Sequence, residues 1–171
     1  IKKYYKKGDT IYDIGANIGA VSLVSALHLK KDCKIYSFEP LPSTFSMLFK
    51  NIMINSCDKV IVPLNIALSN KVEITQFNLS SIESGTSGHS VGNSTSGEGK
   101  SLTVLTQTLD NLIDCYHIEQ ADHIKIDVDG IDYEVLLGGE KNILNKSTLK
   151  TILIEKNDKE EQIKSLLKKY S

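Results

Sequence analysis

At 171 residues the chain is long enough to bury a core without disulfide or metal staples, and it reads most simply as one domain, 1–171. Its 20 basic and 21 acidic residues nearly cancel, so the balance offers no electrostatic footprint for nucleic acid or an anionic membrane. No apolar run approaches the roughly 20 residues of a membrane span, and three widely spaced cysteines favour a reduced, cytoplasmic compartment over a disulfide framework. Ile1 is not an initiator methionine, so the chain is expected to be a segment of a longer protein.

The first apolar, β-branched run, Thr10–Ile14, predicts a strand. The glycine-rich DIGANIGA (Asp13–Ala20) follows. Beyond it, Ala20, Leu23, Val24 and Leu27 fall at helical spacing and predict a helix with those four residues inward. Lys34–Phe38 predicts the second strand, and Pro42-Ser43 opens a helix with Phe45, Leu48, Phe49 and Ile52 on its inner face. Val60–Leu68 reads as a third strand. Val72–Leu79 and Ser101–Thr108 alternate like the half-exposed strands of an extra hairpin. Between them, segment 80–100 is dominated by serine and glycine. It reads either as a flexible loop or as a flap over a ligand site, because loops longer than about 12–15 residues are usually functional or disordered. Ile124–Val128 and Thr151–Ile154 predict two more strands, with helices over Tyr133–Leu144 and Glu160–Tyr170. Strands alternating with helices in this way mean βαβ units: an α/β, Rossmann-like, mainly parallel sheet flanked by helices.

In such a sheet ligands sit beyond the carboxyl ends of the strands, where strand order reverses. Asp13, Gly15, Asn17 and Gly19 stand at the end of the first strand and Glu39 at the end of the second. Asn65 and Ala67 end the third, Asp127 and Asp129 the fourth. Any one of these could be a turn former or a helix cap. Gly15 and Gly19 let backbone approach a ligand, but the third glycine of a pyrophosphate loop is missing and Asp13 would repel a phosphate. Glu39 occupies the place where a carboxylate accepts hydrogen bonds from ribose hydroxyls. A nucleoside ligand carrying positive charge points to S-adenosylmethionine.

The ordered set DIGANIG (Asp13–Gly19), FEP (Phe38–Pro40), LNIALSN (Leu64–Asn70), TLDNL (Thr108–Leu112), KIDVDGIDYEVLLGG (Lys125–Gly139) and LIEKN (Leu153–Asn157) resembles the FkbM family of S-adenosylmethionine-dependent methyltransferases. The resemblance implies a class I methyltransferase fold and O-methylation of a hydroxyl on a sugar, polysaccharide or other natural product. It further implies that Asp13, Gly15, Ala16, Asn17 and Gly19 line the methionine and ribose end of the cofactor. Glu39 would then hold the ribose, Pro40 would pack beside adenine, Asn65 and Ala67 would meet the adenine edge, and Asp127 would sit at the methyl-transfer cleft. Class I sheets close with a hairpin that completes seven strands, whereas this chain stops at Ser171, so those two strands are expected to be missing.

Methyl transfer requires in-line positioning of the acceptor oxygen, and a base where that acceptor is a neutral hydroxyl. Asp127 or Asp129 is the candidate to take the proton or orient the acceptor. The other reading of Asp127 is an anchor for the cofactor ammonium, and that of Asp129 a turn former with Gly130. Lys125 would ion-pair with a neighbouring carboxylate. Asp127, Asp129, Glu155 and Asn157 could assemble a magnesium site, but the resemblance asks for no metal and none is expected. His89 reads as a solvated loop residue. A non-catalytic S-adenosylmethionine-binding domain and an NAD-dependent oxidoreductase are the competing readings. The expected partner is a small-molecule or glycan acceptor, with a homo-oligomer allowed and no nucleic acid.

Overall fold

The computed structural model describes residues 3–79, 90–91, 100–128, 130–146 and 148–170. Five strands make the main sheet: β1 (Thr10–Ile14), β2 (Lys34–Phe38), β3 (Ile61–Leu64), β8 (His123–Ile126) and β9 (Thr151–Ile154). Their order is β3-β2-β1-β8-β9 and every pairing is parallel. Helices α1 (Ala20–His28) and α2 (Pro42–Ile54) cover one face, packing Ala26, Leu48 and Ile52 on Ile11, Ile35 and Ile61. Helices α3 (Leu109–Tyr116), α4 (Asp132–Leu137) and α5 (Glu160–Lys168) cover the other, packing Leu112, Val135 and Ile163 around Tyr12, Phe38, Ile124 and Ile126. Apolar residues at alternate strand positions thus feed two cores, as a sheet buried on both faces demands.

A second, four-stranded sheet holds β4 (Ala67–Leu68), β5 (Glu73–Leu79), β6 (Ser90–Val91) and β7 (Lys100–Gln107) in the order β4-β7-β5-β6. The antiparallel β5–β7 pair is the extra hairpin expected from sequence. Positions 80–89 and 92–99 lie outside the described residues, and with them the loop-or-flap reading and His89.

Several elements depart from the sequence pattern. Val60–Leu68 is two strands in two sheets, because Asn65 between them donates its Nδ2 to Glu39 O at 2.8 Å and Pro40 O at 3.0 Å, which turns the chain. The inner face of α1 is Ser22, Ser25 and Ala26, while Ala20, Val24 and Leu27 are exposed. Small residues let α1 lie close on the sheet, and buried Asp13 supplies a partner for the hydroxyl of Ser22. In α2, Leu48 and Ile52 turn inward as expected but Phe49 is half exposed. The predicted Tyr133–Leu144 helix breaks at Gly138 into α4 and a π-helical turn, Glu140–Leu144. A Cβ on Gly138 would stand 2.1 Å from Ser69 O, and the Asp110 carboxylate caps the second segment through the Lys141 and Asn142 N–H groups. Helix α3 was not expected. Thr108 caps it by accepting the Asn111 N–H at 3.0 Å.

At the amino edge of the sheet, buried His123 joins Asp9 Oδ2 (Nε2, 2.9 Å) to Thr151 Oγ1 (Nδ1, 2.8 Å) beneath the Tyr5 ring. Lys150 bridges Asp9 at 2.7 Å and Asp122 at 3.0 Å. Burial opposes ionisation of Asp9, but hydrogen bonds from Lys150, the Lys6 N–H and His123 outweigh it and hold the carboxyl below its ordinary value. A depressed acid pKa stabilises the fold above the unfolded value of about 3.9, and that contribution is lost as pH falls through the folded one. Urea unfolding followed from neutral to acid pH is therefore expected to show stability dropping below about pH 4. Asp9→Asn should lower stability at neutral pH and flatten the acid slope. An Asp9→Asn profile superimposable on the parent's would exclude this clasp.

Candidate cofactor site

The carboxyl ends of β1, β2, β3 and β8 meet at one rim, and strand order turns back between β1 and β8. This is where open α/β sheets bind ligands. The glycine loop after β1 is tied down on several sides. Gly15 and Ala16 both donate their N–H to Phe38 O, at 3.1 and 2.9 Å. Gly15 takes φ +71°, and a Cβ there would stand 2.0 Å from Asp127 O, so the loop lies directly against the end of β8. Asn17, at φ 52°, occupies the left-handed region that asparagine tolerates.

Glu39 spans the loop and the β2–α2 connection. Its Oε2 accepts the Asn17 N–H at 2.9 Å and its Oε1 the Leu41 N–H at 3.0 Å. Burial pushes its carboxyl up, while those two N–H groups and Lys125 pull it down and Asp13 adds to the rise. Each oxygen retains acceptor capacity beyond its one backbone bond.

Asp13, expected among the residues lining the cofactor, is completely buried. Its Oδ2 accepts the Ser22 N–H at 3.0 Å and the Ser22 hydroxyl at 2.5 Å, and that hydroxyl also meets Ser37 Oγ at 2.7 Å. Asp13 therefore pins the first turn of α1 to the sheet. Its Oδ1 is buried without a hydrogen bond and faces Lys125 Nζ at 3.3 Å. Lys125, itself buried, reaches Asp127 Oδ2 at 3.3 Å and donates to Gly15 O at 2.7 Å and Ile14 O at 3.3 Å. One ammonium thus ties two carboxylates and two loop carbonyls together. The carboxylate that does face solvent at the rim is Asp127, whose side chain is 52% exposed.

At this rim the carboxylates of Glu39 and Asp127, with buried Asp13 behind them, outnumber Lys125, the one cation placed among them in the described residues. Residues 13–170 match the profile of the methyltransferase FkbM domain. The chain belongs to the FkbM methyltransferase family. Hexuronic acid methyltransferase AglP of Haloferax volcanii is 29% identical over 133 residues, 78% of this chain and 51% of that protein. The chain accordingly spans about half the length of this curated relative. Among solved structures, the FkbM methyltransferase of Methylobacillus flagellatus KT matches with a TM-score of 0.55 at 13% identity, over 80% of this chain and 30% of that one. Precorrin-6y C5,15-methyltransferase of Geobacter metallireducens GS-15 matches with a TM-score of 0.60 at 13% identity, over 99% of this chain and 66% of that one. The shared feature at these identities is the fold, a Rossmann-like class I sheet.

In this FkbM domain the expected site residues other than Asp13 divide into three groups. Gly15, Asn17, Gly19, Glu39, Pro40, Asn65 and Asp127 converge at the rim, although the Asn65 side chain is spent on holding the Glu39-Pro40 backbone. Ala16 and Ala67 bury their methyl groups, Ala16 in the α1–α2 core and Ala67 in the second sheet, so only their backbone can meet a ligand. Asp129 lies outside the described residues. The reading from sequence missed Ser22 and the number of groups that Lys125 serves. A serine at an inward helix position was the available signal for Ser22. Asp132, also buried, accepts Asn157 Nδ2 at 2.6 Å and the Val128 N–H at 3.4 Å, which fixes the loop behind Asp127.

Proposed function

We propose that this rim binds S-adenosylmethionine and that the chain is the methyl-transferring domain of an O-methyltransferase acting on a sugar hydroxyl. The observation that carries the reading is the excess of carboxylate over ammonium at a glycine loop placed on the sheet's switch point. A ligand with a sulfonium and an ammonium group complements that charge, whereas a pyrophosphate would be repelled. The hexuronic acid methyltransferase relative supports a sugar acceptor.

S-adenosylmethionine supplies an electrophilic methyl group on a positive sulfur. Glu39 would accept hydrogen bonds from the ribose hydroxyls while its backbone bonds keep the loop in place. Lys125 holds Asp127 at the mouth, where its carboxylate would orient the acceptor hydroxyl and take up its proton as the methyl carbon exchanges its bond to sulfur for one to the acceptor oxygen, leaving the neutral thioether. Asp129, two residues further along the sequence, is a second candidate for that proton.

Calorimetric titration is expected to show binding of S-adenosylmethionine and S-adenosylhomocysteine and none of NAD. Glu39→Gln keeps the shape but removes the charge that two hydroxyls address, and should weaken S-adenosylmethionine about a hundredfold, at roughly 1.5 kcal/mol or more per charged hydrogen bond. Because burial raises the Glu39 pKa, affinity should begin to fall above the ordinary carboxylate value of 4.5 as pH is lowered. Asp127→Asn should slow transfer more than it weakens binding. NAD binding without a response to either adenosyl compound would sink the proposal.

A further inference from the structure

The near-balance of acidic and basic residues conceals an uneven placement. Lysines crowd the turns where β1, β2 and β3 begin, on the same edge as the Asp9–His123–Lys150 cluster. Lys6 and Lys7 precede β1, Lys30, Lys31 and Lys34 lead into β2, and Lys59 leads into β3. Backbone hydrogen bonds bring these turns together: Gly8 N–H to Asp32 O at 2.8 Å, Lys34 N–H to Asp9 O at 3.1 Å and Ile35 N–H to Val60 O at 2.8 Å. Lys31 Nζ reaches from the end of α1 to Asn55 O and Ser56 O at the end of α2, at 2.9 and 2.7 Å. The acids at this edge are exposed Asp32, which Lys7 faces at 3.7 Å, exposed Asp58 and Glu119, and Asp9 and Asp122, which Lys150 bridges. Helix dipoles account for lysines beside the C-terminus of α1. They do not account for Lys6, Lys7 or Lys34.

Both helices run back from the rim, so their C-terminal ends lie at this same edge and expose apolar side chains among the lysines. Leu27 is 50% exposed, Met53 49% and Ile54 69%. Tyr4 is half exposed with Lys3 Nζ over its ring. Apolar side chains clustered within a polar surround mark an interaction surface.

We propose that this amino edge is a membrane-apposed surface that seats on bilayers containing anionic phospholipid headgroups. Lysines supply the attraction, and the aliphatic side chains with Tyr4 enter the interfacial layer. A nucleic acid would use the lysines but draw nothing from Leu27, Met53 and Ile54, which favours the bilayer. Among the described residues no helix is long and apolar enough to cross a membrane, so the contact is peripheral. Seated in this way, the chain holds the rim with Glu39 and Asp127 at the far end of the strands, about 15 Å from the bilayer, open to water. The inference goes beyond the methyltransferase reading and does not depend on what the rim binds.

The test is co-sedimentation of the 171-residue chain with phosphatidylcholine vesicles, with and without phosphatidylglycerol. Binding is expected only with phosphatidylglycerol and should weaken as salt is raised. Lys6→Gln/Lys30→Gln should lower the partition about thirtyfold, at about fivefold per lysine. Leu27→Ser/Ile54→Ser should also lower it, and both variants should keep the parent Tm. Absence of binding to either vesicle, equal binding to both, or capture by duplex DNA without vesicle binding would each overturn the proposal.

Discussion

Lys125→Met is expected to lower the free energy of unfolding by about 3–5 kcal/mol, the range for removing one partner of a buried ion pair. The size of the effect follows from what the ammonium leaves behind. Asp13 keeps two bonds from Ser22 on Oδ2, but among the described residues Oδ1 faces only Lys125. Without it a carboxylate stays desolvated and unpaired, and the carbonyls of Ile14 and Gly15 lose their shared donor. Methionine fills nearly the same volume, so lost packing contributes little. Adding Asp13→Asn removes the stranded charge, and the double variant should recover a large part of the stability. S-adenosylmethionine affinity should stay low in the double variant, because Asp127 and the glycine loop still lack their tether. Urea unfolding with calorimetry on both variants separates the effects. A single variant as stable as the parent would show that the pair contributes nothing net.

The same network explains what the sequence could and could not reveal. β1, β2 and β9 begin and end where their apolar runs do, because each run is short, β-branched and bounded by polar turns. The inner face of α1 was illegible because periodicity assumes that the inward side is apolar. Here Ser22 faces inward to a carboxylate nine residues back, and Val24 and Leu27 turn out toward the lysine-rich edge. A window of helix cannot report a partner on another element. Asn65 hides the break between β3 and β4 for a similar reason, since its two acceptors belong to the β2–α2 connection. At the site, Gly15, Glu39 and Asp127, picked out by motif spacing, lie around one rim. Spacing alone could not show that Asp13 faces inward, because exposure depends on Lys125 standing across the β1–β8 pairing.

Gly15→Ala carries the second large effect, and Gly8→Ala is its control. Both glycines have positive φ, +71° and +84°, so alanine at either position meets the left-handed penalty of about 1–2 kcal/mol. At Gly8 that is the whole cost, since a Cβ there has nothing within 4 Å. At Gly15 the Cβ would stand 2.0 Å from Asp127 O and 3.1 Å from Val128 Cγ1. The first neighbour is backbone at the end of a buried strand and cannot rotate aside. The loop must therefore lift off β8, pulling against the hydrogen bonds that Gly15 and Ala16 make to Phe38 O and the one that Asn17 makes to Glu39. Gly15→Ala should thus cost more stability than Gly8→Ala and weaken S-adenosylmethionine at least a hundredfold, about 2.7 kcal/mol. Gly8→Ala, at the opposite edge of the sheet, should leave that affinity unchanged. Equal losses of stability with unaltered affinity in both variants would mean that the close approach of the loop to β8 has no part in building the site. A selective loss in Gly15→Ala would instead tie cofactor binding to the contact between the first strand's loop and the fourth strand's end, the two elements between which the strand order reverses.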